Sequence, residues 1–132
     1  TDLQEKAQLD MCAFATMWSV RGEYLDCTMI IRSSDYLVAG HVNRIQYVAL
    51  QMMIAKATGY KPGKFFIFSQ NLHFYDRHRA QLDELLKRTP SDLSPKLIFE
   101  PKSDNFYNFS INDFKMIGYD PVTPQLSFEL GI

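Results

Sequence analysis

The apolar pattern of the chain begins with two strand-like stretches that are joined by a tight turn. Aromatic and β-branched residues dominate residues 12–20, and a second strand-like stretch begins at Tyr24. The Arg-Gly-Glu sequence at residues 21–23 is typical of a tight turn, so the pattern predicts a β-hairpin. Cys12 and Arg32 are then expected near the same end of paired antiparallel strands.

Polar residues interrupt the second strand where a buried strand would be expected to continue. Arg32, Ser33, Ser34 and Asp35 follow directly on three apolar residues. The next stretch, residues 42–60, is apolar almost all round and predicts a buried helix that ends at the glycine at position 59. Asn43 lies near the start of that helix. Arg32 and Asn43 are therefore polar residues at the edge of an apolar core, which indicates a functional site.

The second half of the chain is predicted to contain a turn, short strands and a second helix. Residues 61–64 have the composition of a turn, and residues 65–68 that of a short apolar strand. Asn71 is assigned as the N-cap of a helix, which Pro90 ends and whose apolar face consists of Tyr75, His78, Leu82, Leu85 and Leu86. Residues 95–99 predict another strand, and residues 110–119 form the last apolar segment. The expected class is α/β of the α+β type, a mixed β-sheet with at least two packed helices.

Composition restricts the class of protein further. The 132 residues are 46% apolar and 22% charged, which predicts one globular domain over residues 1–132. A formal net charge of −1 gives no electrostatic footprint for nucleic acid or a membrane surface. Two cysteines are too few for a disulfide scaffold and lack zinc-site spacing, so no metal is expected. No signal peptide is recognisable, which favours a cytoplasmic protein. Residues 1–10 are expected to be the truncated end of a longer chain.

Motifs in a fixed order carry a resemblance to a known family. They are Cys12, Arg32-Ser33-Ser34-Asp35, Asn43, His73-Phe74-Tyr75, Pro95-Lys96-Leu97, Asp113-Phe114 and Gly118-Tyr119-Asp120-Pro121. This order resembles the C-terminal half of thymidylate synthase over essentially the whole chain. The resemblance implies a single thymidylate-synthase-like domain without the family's N-terminal half, and a 132-residue chain that is inactive when taken alone.

The resemblance implies a cysteine nucleophile and a bound nucleotide phosphate. A cysteine at the position of Cys12 adds to C6 of dUMP, which makes C5 nucleophilic towards the one-carbon unit of 5,10-methylenetetrahydrofolate, the co-substrate. Cysteine suits this step because it is strongly nucleophilic and can leave again. Arg32 and Ser33 resemble the residues that contact the phosphate.

The other polar residues resemble contacts to the base, the sugar and the folate. Asn43 offers an acceptor and donors on one planar amide, which fits N3–H and O4 of uracil. His73 and Tyr75 resemble the pair that binds the sugar 3′-hydroxyl, and Asp35 resembles the carboxylate that faces the pterin ring. A homodimer is implied as well.

Each residue also has a structural interpretation. Cys12 alone is more often a buried structural thiol, and burial is the interpretation preferred for Cys27. Arg32 with Asp35 would form a local ion pair, Asn43 would make a hydrogen bond at the start of its helix, and His73 and Tyr75 would cap and pack a helix. His41 and His78 are assigned no function.

The sequence departs from the family pattern close to the cysteine and in one turn. Asp10-Met11 replaces the usual Pro-Pro, Ala13 replaces a histidine, and Ser69-Gln70-Asn71 replaces a Gly-Gly-Asp turn. The prediction is dTMP synthesis by one-carbon transfer. A pyrimidine nucleotide hydroxymethylase and a non-catalytic nucleotide-binding or dimerisation half-domain are the alternatives.

Overall fold

The computed structural model describes residues 11–129. The regular elements in this part of the chain are five strands, two α-helices and four single helical turns. The strands are β1 (Ala13–Arg21), β2 (Tyr24–Asp35), β3 (Lys61–His73), β4 (Lys96–Phe99) and β5 (Phe114–Ile117). The helices are α1 (His41–Thr58) and α2 (Arg79–Lys87), and the short turns are Tyr36–Gly40, Asp76–His78, Phe106–Asn108 and Ile111–Asp113. The mixed α/β class is confirmed, whereas the predicted segment at residues 1–10 lies outside the described residues.

β1 and β2 form the predicted antiparallel hairpin. Gly22 lies in the turn with a φ of 62°, a conformation that glycine adopts without the strain a side chain would add. The strands pair from Arg21 with Tyr24 to Ala13 with Ile31, with a bulge near the far end. Beyond the bulge the backbone N–H of Arg32 donates to the carbonyl of Cys12 at 2.9 Å. Cys12 and Arg32 therefore lie at the same end of the hairpin, as the sequence predicts.

β2 is the central strand of a three-stranded sheet with the order β1-β2-β3, antiparallel on one side and parallel on the other. Its alternate residues Leu25, Cys27, Met29 and Ile31 are buried, because α1 packs on that face. Gln51 of α1 is also buried, and its amide nitrogen donates to the carbonyls of Leu25 at 2.8 Å and Lys64 at 3.1 Å. The buried amide thus ties the helix to two neighbouring strands.

The predicted turn at residues 61–64 is wrong, because these residues form the first part of β3. Lys61 and Pro62 pair with Tyr24 and Leu25. β3 lies at the edge of the sheet that residues 11–129 form, and edge strands are where proline is tolerated. Asp26 Oδ1 accepts from the backbone N–H of Lys64 at 2.7 Å beside a register shift, which lets the strand continue past the proline and glycine.

The predicted N-cap at Asn71 is also wrong. Asn71 lies within β3, where it pairs with Ser33. α2 begins only at Arg79, after the single turn Asp76–His78. Of the predicted apolar face, His78 is buried, whereas Leu85 and Leu86 are exposed. Sequence periodicity placed the helix too early, because pairing with β2 extended the strand.

α1 agrees with the prediction in position but not in burial. It ends at Thr58, and Gly59 follows in the left-handed conformation with its N–H directed at the last carbonyls. Val42 and Ile45 are exposed, because within the described residues only one face of the helix packs on the sheet. A single π-type turn, Tyr36–Gly40, connects β2 to this helix.

The last two strands form a separate antiparallel pair. β4 confirms the strand predicted at residues 95–99, and it pairs with β5, which lies inside the last apolar segment. Phe99 and Phe114 stack across the pair with ring centroids 4.4 Å apart. No helix within residues 11–129 is long and apolar enough to cross a membrane.

Candidate active site

The predicted polar residues converge at the carboxyl ends of β2 and β3. The two strands run parallel, and their register pairs Ser33 with Asn71 and Asp35 with His73. α/β proteins usually bind ligands at the carboxyl ends of parallel strands, where a crevice forms outside the sheet. The hairpin adds Cys12 next to Arg32 at this end of the sheet. One end of one sheet thus carries a thiol, a guanidinium, a carboxylate and an imidazole.

Cys12 is exposed and Cys27 is buried in the sheet, and both thiols are free. Burial raises the pKa of Cys27 to about 11, because a thiolate is poorly solvated there. The structural interpretation of a buried thiol therefore fits Cys27, as the sequence predicts, and does not fit Cys12. The role of Cys12 as a nucleophile stays a prediction.

Arg32 and Ser33 follow the buried part of β2 and are half-buried. The Nε of Arg32 donates to the carbonyl of Met11 at 3.3 Å, in addition to the backbone bond to Cys12. The guanidinium is thus held against the segment that carries the thiol. This arrangement suits an anion-binding role beside Cys12, which stays a prediction for both residues.

Asp35 is the last residue of β2 and caps the turn that follows. Its Oδ1 accepts from the backbone N–H groups of Leu37 at 3.2 Å and Val38 at 3.4 Å. Its Oδ2 lies 3.8 Å from Nδ1 of His78, which is an ion-pair distance rather than a hydrogen bond. Asp35 therefore has a structural role in addition to its predicted role towards folate.

His73 and Tyr75 lie together, though not on a helical turn as the sequence suggested. His73 is the last residue of β3 and Tyr75 precedes the turn Asp76–His78. Their rings meet edge to face with centroids 5.3 Å apart. The Nδ1 of His73 is buried without a hydrogen-bond partner among the described residues. A buried polar atom of this kind is costly unless a ligand or water supplies the partner.

Asn43 lines a small cavity of about 20 Å³ behind this end of the sheet, together with Ser34 and Ser69. It is the third residue of α1, whose N-cap is Gly40 and makes no side-chain capping bond. The cap of the preceding turn is Asp35. The alternative in which Asn43 caps the start of the helix is therefore wrong. The contact of Asn43 with a base stays a prediction.

His78 is a residue that sequence reasoning missed. The sequence pattern puts it on an apolar helix face without a function, yet it is fully buried and contacts Asp35, Tyr75 and Phe128. The available signal was its position three residues after Tyr75, a spacing that puts two side chains on one face of a helical turn. Among residues 11–129, no group of three or more His, Cys, Asp or Glu side chains is arranged to hold a metal ion.

Comparisons with known proteins show which family the chain belongs to. The family model described as "Thymidylate synthase" matches residues 1–132. Proteins named thymidylate synthase from Streptococcus thermophilus (strain ATCC BAA-491 / LMD-9) and Lactococcus lactis subsp. lactis (strain IL1403) are 54% and 51% identical to the chain. These matches cover 98% and 99% of this chain, and 47% and 49% of the relatives.

A solved structure gives the same result for the fold. Thermostable thymidylate synthase A from Bacillus subtilis superposes with a TM-score of 0.86 at 33% identity, over 98% of this chain and 46% of that one. The chain belongs to the thymidylate synthase family, which confirms the resemblance carried by the order of its motifs. It spans about half the length of the relatives it matches, and its assignment to their C-terminal half stays a prediction.

Proposed function

We propose that this protein transfers a one-carbon unit from methylenetetrahydrofolate to C5 of dUMP and forms dTMP, with Cys12 as the nucleophile. One observation carries the proposal. The exposed thiol of Cys12 directly precedes β1, and the Cys12 carbonyl accepts from the N–H of Arg32 at the sheet end where Asp35 and His73 pair. Membership of a family whose members are named thymidylate synthase supports it.

The chemistry assigned to Cys12 is a reversible addition. The thiolate forms a bond to C6 of the uracil, and the electron pair displaced from the C5–C6 double bond makes C5 nucleophilic. C5 then forms a bond to the one-carbon unit and loses its proton, and the electron pair from the C5–H bond expels the tetrahydrofolate nitrogen and leaves a methylene group on C5. A hydride from the tetrahydrofolate adds to this methylene carbon, which gives the methyl group and dihydrofolate. The electron pair that is displaced restores the C5–C6 double bond and expels the Cys12 thiolate from C6. Cysteine serves both halves of this sequence because a thiolate is a good nucleophile and a good leaving group.

The remaining residues are proposed to hold the two substrates around Cys12. Arg32 and Ser33 bind the phosphate, and His73 and Tyr75 bind the sugar hydroxyl. The buried Nδ1 of His73 without a partner supports a polar ligand at that position. Asp35 has one oxygen committed to the backbone of the following turn, so a folate contact falls to its Oδ2.

Asn43 is proposed to read the base, and the partners are dUMP, the folate and a second copy of the chain in a homodimer. A cytoplasmic location stays an expectation. The hydroxymethylase and the non-catalytic half-domain are not favoured, since the relatives described above are named thymidylate synthase.

The test is covalent capture of 5-fluoro-dUMP in the full-length protein. In the presence of methylenetetrahydrofolate, intact-mass spectrometry is expected to detect one nucleotide adduct per chain in the wild type. Cys12→Ser is expected to abolish the adduct and to lower turnover by at least roughly 1,000-fold, because a serine hydroxyl is a far weaker nucleophile than a thiolate.

Cys27→Ala is the matched control, because it removes the other thiol from the sheet and leaves the proposed nucleophile in place. This variant is expected to form the adduct as the wild type does. An adduct that persists in Cys12→Ser, or that disappears in Cys27→Ala while the fold is intact, contradicts the assignment.

A further inference from the structure

His78 is a fully buried imidazole, 1% exposed, at the junction of three segments that carry or adjoin the proposed site. It ends the turn after Tyr75, and its backbone N–H donates to the Tyr75 carbonyl at 2.8 Å. Its ring faces Asp35 at the end of β2 and packs edge to face on Phe128 near the end of the described chain. A buried histidine with these neighbours has little freedom to rotate.

The hydrogen bonding of the ring fixes where one proton lies. The Nε2 of His78 is 2.9 Å from the backbone carbonyl oxygen of Glu129. A carbonyl oxygen only accepts, so Nε2 carries the hydrogen and donates it. The opposite nitrogen, Nδ1, is left to face Asp35 Oδ2 at 3.8 Å, without a hydrogen-bond partner.

The two ring nitrogens therefore lie beside two different segments. One side ties the stretch that ends at Glu129 to the turn after β3. The other faces the carboxylate whose second oxygen caps the turn leading into α1. The ring also stacks edge to face on Tyr75, whose own ring contacts His73, with centroid distances of 6.0 Å and 5.3 Å. Through one side chain, the positions of Tyr75 and the Glu129 segment depend on one another.

We propose that His78 is a positioning residue, which docks the Phe128–Glu129 segment beside the proposed site through its Nε2–H. This role does not depend on any reaction. His78 itself is too deeply buried to touch a substrate.

Two substitutions test the contact made by Nε2. The amide nitrogen of glutamine reaches the position of histidine Nε2, whereas that of asparagine reaches the position of Nδ1. His78→Gln is expected to keep the bond to the Glu129 carbonyl, and His78→Asn is expected to lose it.

Hydrogen exchange of residues 125–129 in the full-length protein measures docking of the segment. Exchange there is expected to be about tenfold faster in His78→Asn than in the wild type, the equivalent of one lost hydrogen bond, and nearly unchanged in His78→Gln.

The exposed His41, mutated to the same two residues, is the matched control, and neither variant is expected to change exchange. Nitrogen-15 NMR of the unmutated protein tests the ring directly and requires no variant to fold. A hydrogen on Nε2 of His78 is the expected result. A neutral ring with its hydrogen on Nδ1 alone, or equal exchange rates in His78→Gln and His78→Asn, would overturn the docking role.

The docking role and the proposed function fail separately. If the protein makes dTMP but exchange is the same in both variants, the docking role is wrong. If the protein makes no dTMP but exchange responds as expected, the proposed function has failed and the docking role stands.

Discussion

At the scale of single residues, Asn43 has the sharpest expected consequence. Its amide can accept from uracil N3–H and donate to O4, and cytosine reverses both requirements. The side chain lies in the first turn of α1 beside the cavity it shares with Ser34 and Ser69, and α1 has Gly40, not Asn43, as its N-cap. Asn43→Asp is expected to shift the preference from dUMP towards dCMP by roughly tenfold or more, since a mismatched buried polar group typically costs ~1–3 kcal/mol.

Calorimetric titration of dUMP and dCMP into the wild type and into Asn43→Asp measures this preference. Asn112→Asp makes the same chemical change at an exposed position and is expected to bind both nucleotides as the wild type does. Equal preference in the wild type and in Asn43→Asp would show that Asn43 does not read the base.

The two cysteines should also differ in reactivity. Iodoacetamide reacts with thiolates, and burial raises the pKa of Cys27 to about 11, so Cys27 is protonated at neutral pH as well as shielded. Native protein treated at pH 8 is therefore expected to be alkylated at Cys12 and not at Cys27. Peptide mass spectrometry locates the label, and protein unfolded in urea serves as the control in which both cysteines react. Rapid labelling of Cys27 in the native state would show that its burial is transient.

The same thiol makes a pH-dependent contribution to stability. Its pKa is raised from an ordinary value of 9.0 to about 11 in the folded state, so the folded state holds the proton more tightly. The contribution is fully present below pH 9 and is lost as the pH rises through about 11, by ~2–3 kcal/mol in total. Urea unfolding of the wild type and Cys27→Ala between pH 8 and 11 should therefore give a stability difference that shrinks with pH. A constant difference across this range would contradict the buried thiol as its source.

At the scale of elements, the start of β3 depends on a glycine. A Cβ at Gly63 would clash with the Asp26 carboxylate and lie 3.0 Å from the backbone oxygen of Leu25. Asp26 cannot move away without losing its bond to the Lys64 N–H, which is the main cause of its lowered pKa. Gly63→Ala is therefore expected to lower the free energy of unfolding by ~1–3 kcal/mol.

Urea denaturation measures this loss, and the neighbouring exposed Pro62→Ala, expected to stay within about 0.5 kcal/mol of the wild type, is its control. Unchanged stability in Gly63→Ala would mean that the two strands separate here without cost.

At the scale of the whole molecule, nothing within residues 11–129 covers one face of the three-stranded sheet. α1 packs on the face of Leu25, Cys27, Met29 and Ile31. On the opposite face Met17, Phe66 and Phe68 are 57%, 50% and 63% exposed, and the register brings them together around Thr28 and Ile30. An apolar patch on a sheet face indicates a protein interface, and a second copy of the chain is the partner that the family resemblance implies.

Phe68→Glu is expected to disrupt a dimer built on this face, because it puts a charge into an apolar contact. Light scattering after size-exclusion chromatography gives the mass of the full-length protein and of the variant. Tyr107→Glu, at a position 91% exposed and far from the sheet in sequence, should leave the mass unchanged. A dimer that survives Phe68→Glu at micromolar concentration would place the interface elsewhere.

Local sequence determined the elements whose signals are local. The turn at residues 21–23 fixes the hairpin, Gly59 ends α1, and residues 96–99 form a strand because their apolar run suits one. The order of the motifs was enough to indicate the family, since Cys12, the Arg32–Asp35 run and His73 with Tyr75 stand at fixed separations. None of these signals depends on which segments pack together.

Tertiary structure decided what depends on pairing and packing. β3 extends from Lys61 to His73 because β2 supplies partners along its length, overriding a sequence that resembles a turn and a cap. The ring of His78 contacts the Glu129 segment, which is 51 residues away in sequence. Only the folded chain brings these two segments together beside the proposed site. The exposed face of the sheet likewise follows from which side α1 covers. A periodic pattern specifies which residues share a face, but only the packed chain determines what that face meets.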